Sequence, residues 1–405
     1  MQENENIISD KNLLTDMLSQ IAMSEFSKIT SSRELAKFLE MKYSSLIYSL
    51  RLVNKVKLPP RYIDFQIPKK SGGIREISAP NKTLLFAQRK LAEVFSQIYK
   101  PPKAAHGFIK NWDKQNNSDN NRSIVSNARK HKNKSVVLNV DLKDFFPSIN
   151  GRRVFSLLTK PPFNFNKQVA GLITEICIHD VNKNLPQGAA TSPIISNMIC
   201  RGLDKKLTNL SAAHRMSYSR YADDLTFSST KQNIDEKLIQ NVIEIINKEG
   251  FEINEKKLRI QTKRMRQEVT GLIVNEKVNV ERKYVRRIRA MLHNWEVKGL
   301  EQCQKEMLDK YKKKNIKEAI PDFDIVLKGM INFLGQVRGK NENADQFNLY
   351  IKFLNKYNKL KYFVSTGEFS KVLLENNLIS EESNKQNVDE NSKDYDLNDI
   401  LPFIV

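Results

Sequence analysis

The stretch MSYSRYADDLTF, Met216–Phe227, decides how this chain folds. Apolar side chains alternate with polar ones on both sides of its centre, a pattern typical of two half-buried β-strands joined by a tight turn. The turn carries Asp223 and Asp224, and two neighbouring carboxylates repel each other unless a cation lies between them. From these residues alone, the turn is either a divalent-metal site or a solvated Asp-Asp turn.

A third acidic residue follows a second predicted strand. Val136–Val140 is a short apolar run, as expected of a buried strand, and Asp141 comes directly after it. Three carboxylates on two adjacent strands can hold two Mg²⁺ ions about 4 Å apart, which activate an attacking hydroxyl and stabilise a leaving pyrophosphate. If Asp141 faces the turn at Asp223 and Asp224, the site has the ligands that nucleotidyl transfer requires.

The chain is strongly basic. Its 405 residues carry a formal net charge of +21, and 40% of them are apolar, enough for a sizeable core. Residues 381–405 hold seven acidic residues and two lysines, so the remainder is more basic than the total. This excess predicts a polyanionic partner, because neutralising phosphates releases condensed counterions.

The cysteines and the chain start bear on the cellular compartment. Cys177, Cys200 and Cys303 are far apart, without the short spacing of a zinc site, which favours a reducing cytosol. The first residues lack the basic and apolar regions of a signal peptide, and no run of about 18 apolar residues occurs. We expect a cytoplasmic protein that does not enter a membrane.

The patterning divides the chain into four regions. A capping box at Ser31–Glu34 predicts a helical start, and alternation around the basic turn Lys69–Gly73 predicts a β-hairpin. An exposed loop is predicted over 111–123, and helices over 84–99, 235–248 and 280–313. The predicted domains are a helical lead-in (1–60), a catalytic core (61–275), a helical unit that binds RNA (276–365) and an acidic extension (366–405).

Three motifs, in this order, resemble the palm of a reverse transcriptase. They are Asp141 with Phe146 five residues later, LPQG at 185–188 and YADD at 221–224. Residues 67–77 resemble the fingers hairpin of that family, and residues 250–257 the segment after its catalytic hairpin. The resemblance implies an α+β right-hand polymerase with fingers, a palm with an antiparallel catalytic sheet, and a helical thumb.

The resemblance implies that Asp141, Asp223 and Asp224 ligate two Mg²⁺ ions. It also implies that Phe146 stacks beneath the sugar of the incoming dNTP and excludes a 2′-hydroxyl. An aromatic ring is a sensible filter there, because a 2′-oxygen would meet both a clash and an apolar surface. From the residues alone, Phe146 could instead be ordinary core.

Further residues would contact the nucleotide if the resemblance holds. Lys69 and Arg75 would bind the triphosphate, although Lys69 and Lys70 are hard to tell apart in the turn. Gln187 would lie against the sugar or the template. Lys257 would protonate the departing pyrophosphate, and the alternative is a solvated lysine.

Two short motifs narrow the resemblance to bacterial retron reverse transcriptases. They are NAxxH, from Asn127 to His131, and VTG, formed by Val269, Thr270 and Gly271, and both are expected to bind RNA. The alternatives are a hydrogen-bonded helix histidine and an ordinary strand threonine. The retron resemblance implies a cognate structured noncoding RNA as template and priming from a guanosine 2′-hydroxyl. It also implies an RNA-linked DNA product, and antiphage defence with an effector protein.

A basic helix is predicted after the VTG motif. Arg282, Arg286 and Arg289 fall on one face of it and could follow an RNA phosphate backbone. A solvated charged face is the other interpretation. Because the chain as a whole is so basic, we favour contact with RNA.

Two segments depart from the retron pattern: an insertion at 112–121 and the acidic extension. The extension could dock an effector, in which case deleting residues 381–405 would weaken effector association. A mobile-intron or diversity-generating reverse transcriptase is a rival in the same class. A nucleoprotein scaffold that restrains an effector is a rival in a different functional class. Replacing Asp223 and Asp224 by Asn distinguishes this scaffold from a polymerase.

Overall fold

The structure is a computed structural model, and it describes residues 24–50, 60–69, 72–110, 122–231, 234–313, 320–339 and 348–366. The chain divides into two compact units, Met1–Thr270 and Gly271–Val405. This division falls near the predicted start of the thumb, whereas the predicted lead-in is part of the first unit. Lys70, the insertion at 112–121 and the extension after residue 366 lie outside the described residues.

The first unit combines helices with antiparallel strands. Its helices are α1 (Ser32–Phe38), α2 (Tyr43–Ser49), α3 (Lys82–Ile98), α4 (Ile124–Arg129), α5 (Gly151–Leu158), α6 (Lys167–Cys177), α7 (Ser192–Ile199), α8 (Arg201–Ala213) and α9 (Glu236–Lys248). Its strands are β1 (Tyr62–Pro68), β2 (Ile74–Pro80), β3 (Val136–Lys143), β4 (Ser217–Tyr221), β5 (Asp224–Ser229), β6 (Glu252–Ile253), β7 (Arg259–Thr262) and β8 (Glu268–Val269), with a 3₁₀ turn at Glu255–Lys257.

The central sheet has the strand order β4-β5-β3-β6, and β7 also pairs with β3. All of these pairings are antiparallel. The strand β3 lies inside the sheet because it is apolar on both faces: its neighbours Val137 and Leu138 point to opposite sides and are both wholly buried. The predicted α+β class with an antiparallel catalytic sheet is confirmed.

The N-terminal segment belongs to the first unit because its apolar residues enter the core. Phe26 packs edge-on against Phe95 and Phe165, with ring centroids 5.7 and 4.9 Å apart. The predicted cap at Ser31 is present, since its hydroxyl accepts a hydrogen bond from the Glu34 amide. Glu34 turns one residue further back than in a standard capping box and accepts from the Thr30 amide at 2.7 Å.

The strands β1 and β2 form the predicted hairpin, paired from Tyr62 with Pro80 to Pro68 with Ile74. Gly72 and Gly73 close the turn with φ of 82° and 87°. Side chains other than glycine rarely adopt this conformation, so the glycine pair is what permits a tight turn here.

The second unit is helical, as predicted for the thumb. After the short strand β9 (Leu272–Ile273) come α10 (Arg282–Lys298), α11 (Leu300–Lys313), α12 (Phe323–Arg338) and α13 (Leu349–Thr366). Its core forms around Trp295, which is wholly buried and meets the rings of Phe323 and Tyr357 edge-on. Among the described residues, no helix combines the length and the apolar character needed to cross a bilayer.

Candidate active site

The YADD motif forms the tip of the β4–β5 hairpin. Tyr221 pairs with Asp224, so Ala222 and Asp223 are the two residues of the turn. Ala222 has φ of 56°, a conformation that costs a non-glycine residue about 1 kcal/mol or more. On the other side of β5, Asp141 of β3 pairs with Asp224. The register therefore brings all three predicted carboxylates to one end of the sheet.

The negative charges at this tip act on one another. Burial, followed by the nearby Asp141 charge, raises the pKa of Asp223 above its usual value. Burial and then the charges of Asp223 and Asp141 raise the pKa of Asp224 to about 7. Lys257 opposes both shifts but does not cancel them. The tip thus concentrates negative charge beyond what its own cations balance.

Lys257 is the cation closest to this cluster. Its ammonium lies 3.0 Å from both carboxylate oxygens of Asp141. Across the described ranges, no three Asp, Glu, His or Cys side chains are arranged to hold one metal ion. The three carboxylates nonetheless fit a divalent cation in chemistry and charge, because Mg²⁺ prefers hard oxygen ligands. Asp141 would have to exchange its lysine for the ion.

Three of the predicted nucleotide-binding residues line one cleft. Lys69, Arg75 and Gln187 surround a volume of about 400 Å³, together with Asp144 from the segment after β3. Arg75 also lies close enough to Asp223 for its charge to oppose, in small part, the rise that burial and Asp141 cause in the Asp223 pKa. The cleft therefore places two cations and an amide beside the carboxylate tip.

The LPQG turn is held against the fingers hairpin. The Ser78 amide donates to the Gln187 carbonyl at 2.7 Å. Gly188 has φ of +127°, and a Cβ there would lie 2.6 Å from the Ser78 carbonyl oxygen. Only glycine allows so close an approach, which explains why the residue after Gln187 is a glycine.

Phe146 is half-buried and belongs to a row of aromatic rings. Its ring centroid lies 5.3 Å from that of the buried Phe145 and 5.9 Å from that of the exposed Phe108. Phe145 in turn stacks on Phe251. The row keeps Phe146 in place while leaving part of its ring exposed.

The two named residues of NAxxH are wholly buried behind the catalytic hairpin. The His131 ring bonds through Nδ1 to the Ser228 hydroxyl on β5 and through Nε2 to the Ser219 hydroxyl on β4, each at 2.7 Å. Ser219 donates to the Asn127 amide oxygen at 2.6 Å. Burial lowers the pKa of His131 to about 3, so the ring is neutral at physiological pH. Contrary to our expectation of RNA binding, neither side chain reaches the surface. His131 ties the two hairpin strands together, and Asn127 contacts one of them through Ser219.

The VTG residues occupy different environments. Val269 is wholly buried, and the Thr270 hydroxyl donates to the Ile124 carbonyl at 3.2 Å, at the start of α4. Gly271 is exposed, with φ of +78°. The Val269 side chain is therefore core, and Gly271 is the most accessible residue of the motif.

A buried ion pair that the sequence motifs do not predict supports the tip. Arg220 donates to both Asp204 oxygens, from Nε at 2.8 Å and from Nη2 at 2.7 Å, and both side chains have no exposed surface. The Tyr218 hydroxyl donates to Asp204 as well. Arg220 Nη1 reaches the Ala222 carbonyl at 3.2 Å, so the pair holds the strained turn directly. A charged residue within a strand otherwise made of small and aromatic residues was the available signal.

A glycine outside the motifs also shapes the tip. A Cβ on Gly107 would lie 2.5 Å from the Ala222 amide nitrogen. The Gly107 carbonyl accepts from the Asn197 side chain at 2.9 Å, and Asn197 accepts from Arg220 at 3.0 Å. Gly107 therefore lets a second backbone segment pack directly against the turn.

In the second unit, the predicted basic face is exposed. Arg282, Arg286 and Arg289 point to solvent from α10, whereas Ile288 and Leu292 are buried on its other side. Burial, followed by the nearby charge of Arg289, lowers the pKa of Arg338 on α12. This face can accept a polyanion.

Comparison with known proteins gives consistent matches. A family model of reverse transcriptases (RNA-dependent DNA polymerases) matches residues 67–275, about half of the chain. The retron Mx162 reverse transcriptase of Myxococcus xanthus is 35% identical over 298 residues, which are 66% of this chain and 59% of that protein.

Two Escherichia coli proteins are also similar. The retron Ec86 reverse transcriptase is 37% identical over 178 residues, 44% of this chain and 54% of that protein. The retron Ec73 reverse transcriptase is 36% identical over 242 residues, 54% of this chain and 72% of that protein. The chain thus spans little more than half the length of the Mx162 and Ec86 proteins.

Proposed function

This chain belongs to the reverse transcriptase family, in its retron group, and from that premise we propose that it is an RNA-directed DNA polymerase of a retron. One observation carries the proposal: Asp141, Asp223 and Asp224 meet at the end of one sheet, where burial and then their neighbouring charges raise the pKa of Asp223 and Asp224. Perturbed carboxylates beside a basic cleft are typical of a catalytic site.

We propose that Asp141, Asp223 and Asp224 hold two Mg²⁺ ions. When bound there, the ions would lower the pKa of the attacking hydroxyl and stabilise charge on the leaving pyrophosphate. Lys257, once released from Asp141, would donate a proton to the pyrophosphate.

Lys69 and Arg75 would bind the triphosphate in the cleft that they line with Gln187. Phe146 would contact the sugar and select dNTPs, with Phe108 and Phe145 fixing its ring. A 2′-hydroxyl placed against this ring would have no hydrogen-bond partner there, so ribonucleotides would be rejected.

The RNA partner would be a cognate structured noncoding RNA. We propose that a guanosine 2′-hydroxyl within it primes synthesis, that the product is single-stranded DNA linked to RNA, and that an effector protein joins this complex in antiphage defence. Arg282, Arg286 and Arg289 would bind RNA phosphates. Asn127 and His131 would act from beneath the hairpin, by keeping its two strands in register.

The test is to purify the protein with its bound nucleic acid and sequence that material. The proposal expects short single-stranded DNA joined to a structured RNA, together with Mg²⁺-dependent incorporation of dNTPs. A variant with Asp223→Asn and Asp224→Asn should lose at least about a thousandfold in incorporation. Glu236→Gln, which removes an exposed carboxylate from α9, is the matched control. Persistence of the RNA-linked DNA in the double variant would contradict the proposal.

A further inference from the structure

A second pocket of the first unit lies away from the carboxylate tip. It has a volume of about 530 Å³ and is lined by the loop after α3, by Lys130 just after α4, by one face of α8 and by the start of β4 with the residue before it. The strand β4 has five residues, so its start is about 15 Å from the tip at its other end. The pocket is therefore not the nucleotide cleft beside the catalytic carboxylates.

Cations dominate the charged lining of this pocket. Four of its charged residues are basic: Lys103, Lys130, Arg201 and Lys205. The fifth is Asp204, which is wholly buried and already binds Arg220 and Tyr218. Within the described ranges, none of the four cations forms an ion pair with a carboxylate. The pocket thus presents positive charge that the protein itself does not neutralise.

The positions of these cations are unfavourable unless an anion joins them. Arg201 and Lys205 are four residues apart on α8, where like charges repel. Lys130 is half-buried, and burial, followed by the charge of Arg122, lowers its pKa. Its ammonium donates to the Lys103 carbonyl at 3.3 Å, which brings the loop lysine to the same side. A bound anion would relieve each of these repulsions.

A buried hydroxyl in the same pocket points to the same ligand. Ser211 is 3% exposed and lines the pocket, and its Oγ has no hydrogen-bond partner. A buried hydroxyl without a partner costs about 1–3 kcal/mol, so such groups are usually bonded to a ligand or water. Ser211 can donate to an oxygen atom placed among the four cations.

We propose that this pocket binds the sugar–phosphate backbone of the RNA that the protein copies, an inference that rests on the proposed function. Phosphates contact Lys103, Lys130, Arg201 and Lys205, and Ser211 donates to a phosphate oxygen. The volume exceeds that of one phosphate group, and the apolar side chains of Pro102, Ala212 and Met216 provide a surface for a ribose or a base. The site therefore takes one or two nucleotides of single-stranded RNA.

Two neighbouring lysines of α8 provide a matched test. Lys205→Gln removes a charge from the pocket, whereas Lys206→Gln removes one from the same helix outside it, where Lys206 pairs with Glu249 at 2.7 Å. The full chain, freed of nucleic acid, is titrated with a fluorescent single-stranded RNA at several salt concentrations. Lys205→Gln should weaken binding several-fold and reduce the slope of log K against log salt by about 0.7. Lys206→Gln should stay within about twofold of the wild type.

Ser211→Ala supplies a second test, in which RNA affinity and thermal stability should not fall together. Removing a hydroxyl that has no partner should leave the melting temperature unchanged or higher, while RNA affinity falls by about threefold. A loss of affinity through misfolding would instead lower the melting temperature. The combination expected here cannot come from a purely structural role of Ser211.

Several results would overturn this assignment. Equal weakening by Lys205→Gln and Lys206→Gln would mean that only net charge matters. Binding of uridine monophosphate or inorganic phosphate as tight as that of the RNA would mean that the pocket is a small-anion site. Extension of a DNA primer on a short RNA template by the wild-type protein tests the proposed function separately. The proposal for the pocket can therefore fail while the proposed polymerase activity is confirmed, and the reverse.

Discussion

The catalytic hairpin has polar residues in two regions that differ in how their charges are balanced. Behind the hairpin, Asp204 is bound through both oxygens by Arg220, and His131 is neutral and bonded through both ring nitrogens. At the tip, Asp141 has a lysine partner, whereas Asp223 and Asp224 have pKa values raised by burial and by neighbouring carboxylates. Polar groups whose charges and hydrogen bonds are satisfied within the protein fix the strands. Carboxylates whose charge is not neutralised within the protein remain available for ions and substrates.

The largest expected effect comes from breaking the buried pair. Asp204→Ala would leave the Arg220 charge buried without its carboxylate and should lower the free energy of unfolding by about 3–5 kcal/mol. The turn would also lose support, because Arg220 holds the Ala222 carbonyl. Urea denaturation measures the change.

The control for this variant is Lys206→Ala, which breaks an ion pair with Glu249 in which the lysine side chain is 55% exposed. It should lower the free energy of unfolding by at most about 1 kcal/mol. If Asp204→Ala were no more destabilising than Lys206→Ala, the buried pair would not be what holds the strand β4.

The region behind the hairpin should make the free energy of unfolding depend on pH in a characteristic way. The folded-state pKa of His131, about 3, is below its ordinary value of 6.5, so the unfolded chain binds more protons between these values. Stability contributed by this group is present above pH 6.5 and is lost as the pH falls toward 3, by at most about 1.4 kcal/mol per pH unit. His131→Gln should make the free energy of unfolding fall less steeply over pH 4–6.5.

His293→Gln is the matched control, because the His293 side chain is 70% exposed in the second unit. It should leave the pH dependence as in the wild type. Equal slopes for the wild type and His131→Gln would show that His131 is not buried in its neutral form.

At the tip, the free energy of unfolding should change with pH in the opposite direction. The folded-state pKa of Asp224, about 7, is raised from 3.8, so without divalent ions the folded protein loses stability as the pH rises through this window. Asp224→Asn should therefore stabilise the metal-free protein at pH 8 but not at pH 4. Although neighbouring groups desolvate the carboxylate, part of the Asp224 surface still reaches water, which screens its charge, so we expect about 1 kcal/mol. Thermal melting in EDTA at both pH values tests this, and destabilisation at pH 8 would contradict it.

The local parts of the fold could be predicted from the sequence. The alternation around Asp223 predicted the hairpin, and the apolar run before Asp141 predicted the strand that pairs with it. Both inferences rest on periodicity over a few residues and on the order of motifs, which a sequence displays directly. The metal and nucleotide roles of these residues stay predictions.

The support behind the hairpin could not be predicted, because it depends on residues far apart in the chain. His131 bonds to Ser219 and Ser228, 88 and 97 residues away, and no local pattern specifies such a contact. The NAxxH motif predicts RNA binding, whereas its asparagine and histidine are wholly buried. Motif recognition identified important residues here but not the direction in which their side chains point.

The most direct test of the unbalanced tip is the melting temperature of the full chain, freed of nucleic acid, over a Mg²⁺ titration. The account predicts that Mg²⁺ raises the melting temperature of the wild type by several degrees, since binding at a hundredfold over Kd stabilises by about 2.7 kcal/mol. The Asp223→Asn, Asp224→Asn double variant should begin at a higher value in EDTA and respond little, while Glu236→Gln follows the wild type. An equal Mg²⁺ response in the wild type and the double variant would contradict the account.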